Sequence, residues 1–283
     1  MKKIRIGYPS YINCLPVYYG LSQSEKGSNY ELVKGTPSEL NALMRKGKLH
    51  VSAVSSIEYA RNQEKYLLLP ELCLNSRIKV MSVCLFSKYP LEELHDTHIG
   101  LTDTSATSHV LLKIILKQFC GYNNTFTVMQ PDLNAMLEEF DAALLIGDDA
   151  LKNRYRKNIY IYDLAELWHN ATQKEFVFAL WVMDREWASQ NIEYASYILP
   201  WLKDSLFTGF YNLEEIIKEA ERQVSGINFT EYFKHVQYDF TYSCKKGLEL
   251  FYRYARQSGH IQDKVKLNYL TPRVLLQEEM SAV

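Results

Sequence analysis

Three short stretches of the sequence gather hydroxyl and amide side chains: Tyr11-Ile12-Asn13, Ser55-Ser56, and Thr102-Asp103-Thr104-Ser105-Ala106-Thr107-Ser108. Each follows a strand-like run and leads into a helical one. The first turn of a helix has unpaired backbone N–H groups and partial positive charge, so a hydroxyl-lined turn there suits a carboxylate. Capping alone accounts for Ser55 and Ser105. Ser56, Thr107 and Ser108 exceed what capping requires, and the expected chemistry is recognition of a small anion. In Ile146-Gly147-Asp148-Asp149 the paired carboxylates have two readings: acid–base work, or one cap and one solvated side chain. His109, beside the hydroxyl-rich turn, is either a base or a structural helical histidine. His95 and His98 lack a partner at metal-ligand spacing, and no GxGxxG, P-loop or nucleophile elbow occurs, so neither metal nor cofactor is expected.

The elements that position these residues follow from composition and pattern. The 283 residues carry 32 Lys+Arg against 33 Asp+Glu. A net charge of −1 lacks the positive surplus that nucleic-acid binding requires, and 47% hydrophobic residues exclude a disordered chain. The length is near the limit for one core, so two lobes are expected. No run of about 18 apolar residues occurs, and Arg5, Gly7, Pro9 and Asn13 interrupt the start, which reads as neither membrane anchor nor signal peptide. Five scattered cysteines without CxxC spacing point to reduced thiols and a cytoplasmic protein.

Residues 4–8 read as a strand. Thr36-Pro37-Ser38-Glu39 reads as a capping box opening a helix that Gly47 stops, and Ser55-Ser56-Ile57-Glu58 as a second box behind the strand at 51–54. Strands are expected at 80–86, 99–102, 126–129, 142–146 and 176–183, with amphipathic helices between the later ones and mostly helix after 183. The fold class is α/β, two-lobed, each lobe a mixed, mostly parallel sheet flanked by helices, with a ligand cleft between the lobes. Lobe one is expected over 1–88 plus 176–283, lobe two over 89–175. The tail from Gly259 to Val283 has weak periodicity. At this level enzyme and binding protein remain alternatives.

Six segments carry a family resemblance: IGYPSYINCLP (6–16), GTPSELNALMRKGKLHVSAVSSIEYA (35–60), VMSVCLFSKYP (80–90), TDTSATSHVLLKIIL (102–116), DAALLIGDDAL (141–151) and FVFALW (176–181). In this order they resemble chorismate dehydratase of the futalosine route to menaquinone, a family with the type II periplasmic-binding-protein fold. The resemblance implies a cofactor-free hydro-lyase that takes water from chorismate to give 3-[(1-carboxyvinyl)oxy]benzoate, with chorismate, a dicarboxylate, as its small-molecule partner. It implies catalytic roles for Asn13 and Ser82. Tyr11, Ser55, Ser56, Thr104, Ser105, Ala106, Thr107, Ser108, Gly147 and Asp148 are expected to bind substrate. The implied mechanism is substrate-assisted, the enolpyruvyl carboxylate serving as base.

One turn departs from the family pattern. Where the family has Thr-Gly-hydrophobic-Pro before the returning strand, this chain has Thr172-Gln173-Lys174-Glu175. Gly and Pro set backbone angles that other residues reach at a cost, so closure and rate are the properties this change touches. The alternative reading is a non-catalytic protein of the same fold that binds or senses a small carboxylate.

Overall fold

The computed structural model describes residues 3–26 and 28–271. From the N-terminus run β1 (Ile4–Pro9), α1 (Leu15–Ser24), β2 (Tyr30–Gly35), α2 (Pro37–Arg45), β3 (Val51–Ser55), α3 (Ser56–Arg61) and β4 (Tyr66–Ser76). Then come β5 (Val83–Ser87), β6 (His98–Thr102), α4 (Thr107–Ile114), β7 (Thr125–Met129), α5 (Leu133–Glu139), β8 (Ala142–Ile146), α6 (Gly147–Lys152), β9 (Tyr160–Asp163) and α7 (Leu164–Thr172). The chain ends in β10 (Phe176–Asp184), α8 (Arg185–Gln190), α9 (Ile192–Tyr211), α10 (Leu213–Gln223), α11 (Phe229–His235), β11 (Gln237–Asp239) and α12 (Tyr242–Gln257).

The described residues divide into two compact units. One takes those within Met1–Cys73, Ala179–Ala220 and Val265–Val283; the other takes Leu74–Phe178 and Glu221–Lys264. These bounds differ from the expected 1–88 plus 176–283 and 89–175. The strand at 83–87 pairs with β8 and β9, so it belongs to the second sheet, and the exit from the first unit falls inside β4 instead of after residue 88. Residues 221–264, expected with the first lobe, group with the second.

In the first unit β1 pairs in parallel with β2 and β3, and β10 returns antiparallel to β3. The sheet order is β11-β4-β10-β3-β1-β2, and residues 74–76 of β4 share their unit with β11. All five residues of β3 are buried, as a central strand covered on both faces requires. The capping box at α2 forms as expected: Glu39 N–H donates to Thr36 Oγ1 at 3.3 Å and Thr36 N–H to Glu39 Oε2 at 2.8 Å. The long helix α9 lies against α1, where Leu21 N–H donates to Ser205 Oγ at 2.9 Å. The approach is close enough that a Cβ on Gly209 would sit 2.2 Å from the Pro16 carbonyl oxygen.

The second unit has the order β7-β6-β8-β5-β9, with β5 antiparallel to both neighbours and β6 parallel to β7 and β8. Cys84, Phe86, Met136, Phe140 and Leu145 form its buried cluster. On the other side Trp168 packs edge-on against Phe176, Phe251 and Tyr254, which ties α7 to α12. The helix after β6 ends in a π-helical turn, Ile115–Phe119, before Gly121 at φ 77. Of the expected tail, residues 259–271 are described: Leu270 N–H donates to the Leu68 carbonyl at 2.7 Å, and 272–283 lie outside the described residues.

Candidate functional site

In the first unit, β1 and β3 are parallel neighbours in the register Ile6↔Val51 and Gly7↔Ser52. The segments that follow them, Tyr11–Asn13 and Ser55–Ser56, therefore leave the sheet from the same edge. Gly7 makes this approach possible, since a Cβ there would stand 2.3 Å from Ser52 Oγ. Asn13 lies in the short 3-10 turn Ile12–Cys14, 8% exposed, and Ser56 is 0% exposed. Beneath them Tyr8 stacks on Tyr18 with ring centroids 4.5 Å apart, and Tyr18 OH donates to the Gly7 carbonyl at 2.7 Å. Burial, helped by Cys14 and Glu219, pushes the Tyr8 phenol up to about 12, so it stays neutral.

Ser55 occupies the N-cap position of α3, yet its side chain does not cap. Its Oγ accepts from Asn41 Nδ2 at 3.2 Å, while Ser55 N–H donates to Asn41 Oδ1 at 3.3 Å. The expected second capping box is therefore not formed. Glu58 instead accepts from Arg45, from Asn62 Nδ2 at 3.0 Å and from Tyr66 OH at 3.1 Å. Asn41 was missed from the sequence; the available signal was an amide between Leu40 and Met44 on the apolar face of α2.

In the second unit, β6 and β8 are parallel and β5 opposes β8 with Val83 facing Ile146. This register brings Thr104–Ser108, Gly147–Asp148 and Ser82 to one end of one sheet. Gly147 N–H donates to the Ser82 carbonyl at 2.7 Å. Ser105 Oγ accepts from Ser108 N–H at 3.3 Å, but the N-cap of α4 is Ala106, so Ser105 stands one residue ahead of the cap. Thr102 and Thr104 hydroxyls meet at 2.8 Å, and the His109 ring nitrogen Nε2 lies 2.6 Å from the Thr102 carbonyl, to which it donates. That geometry gives His109 the structural role of bracing the turn. The first turn of α4 contains no acidic residue, so its positive end suits an anion, whereas α6 begins with Asp148 and Asp149. Neither of these caps α6, whose N-cap is Ile146, and Asp149 pairs with Lys152 at 3.0 Å.

Two further residues that sequence reasoning missed surround Ser82. Tyr232 OH donates to Ser82 Oγ at 3.1 Å, and the Asp163 carboxylate accepts from Val80 N–H at 3.1 Å and Met81 N–H at 2.6 Å. Both come from segments far along the chain, where no local pattern marks them. Among the described residues no three His, Cys, Asp or Glu side chains gather as a metal site, and no helix is long and apolar enough to cross a membrane.

The model of a family described as menaquinone biosynthesis matches residues 4–257. A chorismate dehydratase from Thermus thermophilus is 29% identical over 272 residues, covering 89% of this chain and 94% of the relative. A second chorismate dehydratase, from Campylobacter jejuni, is 29% identical over 228 residues, covering 79% of this chain and 85% of the relative. Among solved structures, protein AF1704 from Archaeoglobus fulgidus superposes with TM-score 0.74 at 20% identity, covering 92% of this chain and 98% of that one. The aliphatic sulphonate binding protein SsuA from Escherichia coli gives 0.68 at 13%, over 94% and 96%. The fold is that of periplasmic binding proteins.

Proposed function

The chain belongs to the menaquinone biosynthesis family, and on that premise we propose that it is a chorismate dehydratase. The observation that carries this reading is the family match over most of the chain, joined by two relatives of that name. The reaction takes a proton from the ring carbon bearing the enolpyruvyl ether and expels the neighbouring hydroxyl as water, leaving 3-[(1-carboxyvinyl)oxy]benzoate. Aromatisation of the ring supplies the driving force.

Within this reading Asn13 and Ser82 are the catalytic pair. An amide offers both donors and an acceptor, so Asn13 grips the reacting substrate; the Ser82 hydroxyl bonds the substrate carboxylate or the departing hydroxyl. Neither has a useful pKa near neutrality. The base is then the enolpyruvyl carboxylate of the substrate, and the protein acts by orienting it. Ser82 is 0% exposed, so it meets substrate only once the residues covering it move. In the second unit, Ser105, Ala106, Thr107 and Ser108 with Thr104 form the acid-free helix start suited to a carboxylate. Gly147 and Asp148 face a different task, since Asp148 repels a carboxylate and accepts from a hydroxyl. Tyr11, Ser55 and Ser56 line the first unit's edge beside Asn13. A small carboxylate made and consumed in biosynthesis, together with five scattered cysteines without CxxC spacing, supports a cytoplasmic location.

Purified protein mixed with chorismate, followed by ultraviolet spectrum and product mass, tests the reading. The expected result is a product lighter than chorismate by one water. Binding without conversion in a folded sample would replace the enzyme with a small-carboxylate sensor of the same fold.

A further inference from the structure

The backbone on both sides of Ser82 is pinned. Its carbonyl accepts from Gly147 N–H at 2.7 Å, and the two residues before it donate their N–H groups to the buried Asp163 carboxylate. Met81 stands at φ 64, a left-handed conformation that a long side chain keeps only where its surroundings hold it. What remains to be set is the direction of the Ser82 hydroxyl. A serine hydroxyl has one proton and two acceptor lone pairs, and its rotation decides which of them faces a ligand.

Tyr232 makes that choice. Its ring, 1% exposed, is wedged beside Phe229 and Phe233 with centroids 5.9 and 5.4 Å away, and its OH donates to Ser82 Oγ at 3.1 Å. The helix that carries it is fixed by Asn228, whose side chain accepts from Glu231 N–H at 3.0 Å. Ser82's own proton points to the Val80 carbonyl across 3.4 Å, longer than a full O–H···O bond, so little is lost when it turns elsewhere. A donor fixed on Oγ also polarises the remaining O–H, as in any hydrogen-bond chain.

We propose that Tyr232 is a positioning residue for the dehydration: its phenol holds Ser82 Oγ as an acceptor, so that Ser82 meets the substrate as a hydrogen-bond donor and never as a base. This rests on the reading of Ser82 as catalytic. The chemistry it favours is stabilisation of negative charge on the substrate carboxylate or on the oxygen that leaves as water.

A double-mutant cycle of Tyr232→Phe and Ser82→Ala separates the two claims. Phe keeps the ring and its packing and removes only the hydroxyl; melting temperature reports that the variants fold. With chorismate as substrate and product quantified by mass, Tyr232→Phe is expected to lower kcat roughly tenfold with KM little changed. In the Ser82→Ala background, assayed at high enzyme concentration, the same change is expected to cost nothing further. An equal loss in both backgrounds, or no loss in either, overturns the positioning role. Full activity in Ser82→Ala alone overturns instead the catalytic reading of Ser82.

Discussion

The Gly147 amide donates to the Ser82 carbonyl across 2.7 Å, so the first residue of α6 and the residue leading into β5 are held as one piece. Gly147 makes this bond at φ 57, in the left-handed region. A Cβ there costs about 1–2 kcal/mol, and the strain is relieved by moving the amide away from Ser82. Gly147→Ala is expected to lose about that much in urea unfolding and to lower kcat with chorismate. A variant that is destabilised but turns over normally would show that the bond fixes the fold and not the chemistry.

Gln173 is the converse case. It ends α7 at φ 56 and ψ 30, its N–H donating to the His169 carbonyl at 2.7 Å, at the position where the family resemblance calls for glycine. The left-handed penalty stays with the glutamine; glycine removes it but adds freedom to the unfolded chain. The net for Gln173→Gly is a gain of about 0.5–1 kcal/mol, read as a higher melting temperature. Gln173 already holds the left-handed conformation that glycine adopts freely, so turnover is expected to be unchanged.

What was legible in the sequence followed local physics. The Thr36–Glu39 box, the buried run at β3 and the hydroxyl-rich turn after β6 announce themselves within a few residues. What was not legible depended on distant partners. Ser55 and Glu58 have the spacing of a capping box, but Asn41 offers Ser55 a buried amide and Arg45, Asn62 and Tyr66 take Glu58, so tertiary contacts override the local motif. The strand β4 was unread because Pro70 and Glu71, the latter at φ 67, interrupt its apolar run. Tyr232 reaches Ser82 from 150 residues away, and Asp163 reaches Val80 and Met81 from 83 and 82 residues away, beyond any periodicity.

Asp163 leaves a signature in the pH dependence of stability. Burial raises its pKa from 3.8, against the pull of the Met81, Val80 and Glu166 N–H groups and of Arg154. A raised carboxyl pKa means the folded state holds the proton longer than the unfolded state does. Its contribution is most favourable below about 3.8 and declines as pH rises through the folded value. The stability difference between wild type and Asp163→Asn is therefore expected to be largest at acid pH and to shrink toward neutrality, as urea unfolding at a series of pH values would record. A difference that grows with pH would mean that the backbone donors outweigh burial.

Gly209 guards the approach of α9 to α1. A Cβ would lie 2.2 Å from the Pro16 oxygen, a backbone atom that no side-chain rotation can relieve. Gly209→Ala must push α1 outward, and Pro16 lies just after the turn that holds Asn13. The expected loss is about 1–3 kcal/mol in unfolding, with a fall in turnover that exceeds the unfolded fraction. Retained activity in the folded fraction would separate the α1–α9 contact from the position of Asn13.

Asn13 itself gives the sharpest distinction between gripping substrate and filling space. Truncation to alanine removes an amide from a nearly covered site, so a modest loss of stability accompanies any loss of chemistry. Asn13→Asp keeps the volume but exchanges the NH2 donors for a negative charge beside a dicarboxylate substrate. If Asn13 orients the reacting substrate, alanine lowers kcat by about 100-fold or more while the protein stays folded. Aspartate adds to this a higher KM, from charge repulsion, that eases as salt screens it. A KM for aspartate that is insensitive to salt would place the substrate carboxylates away from residue 13.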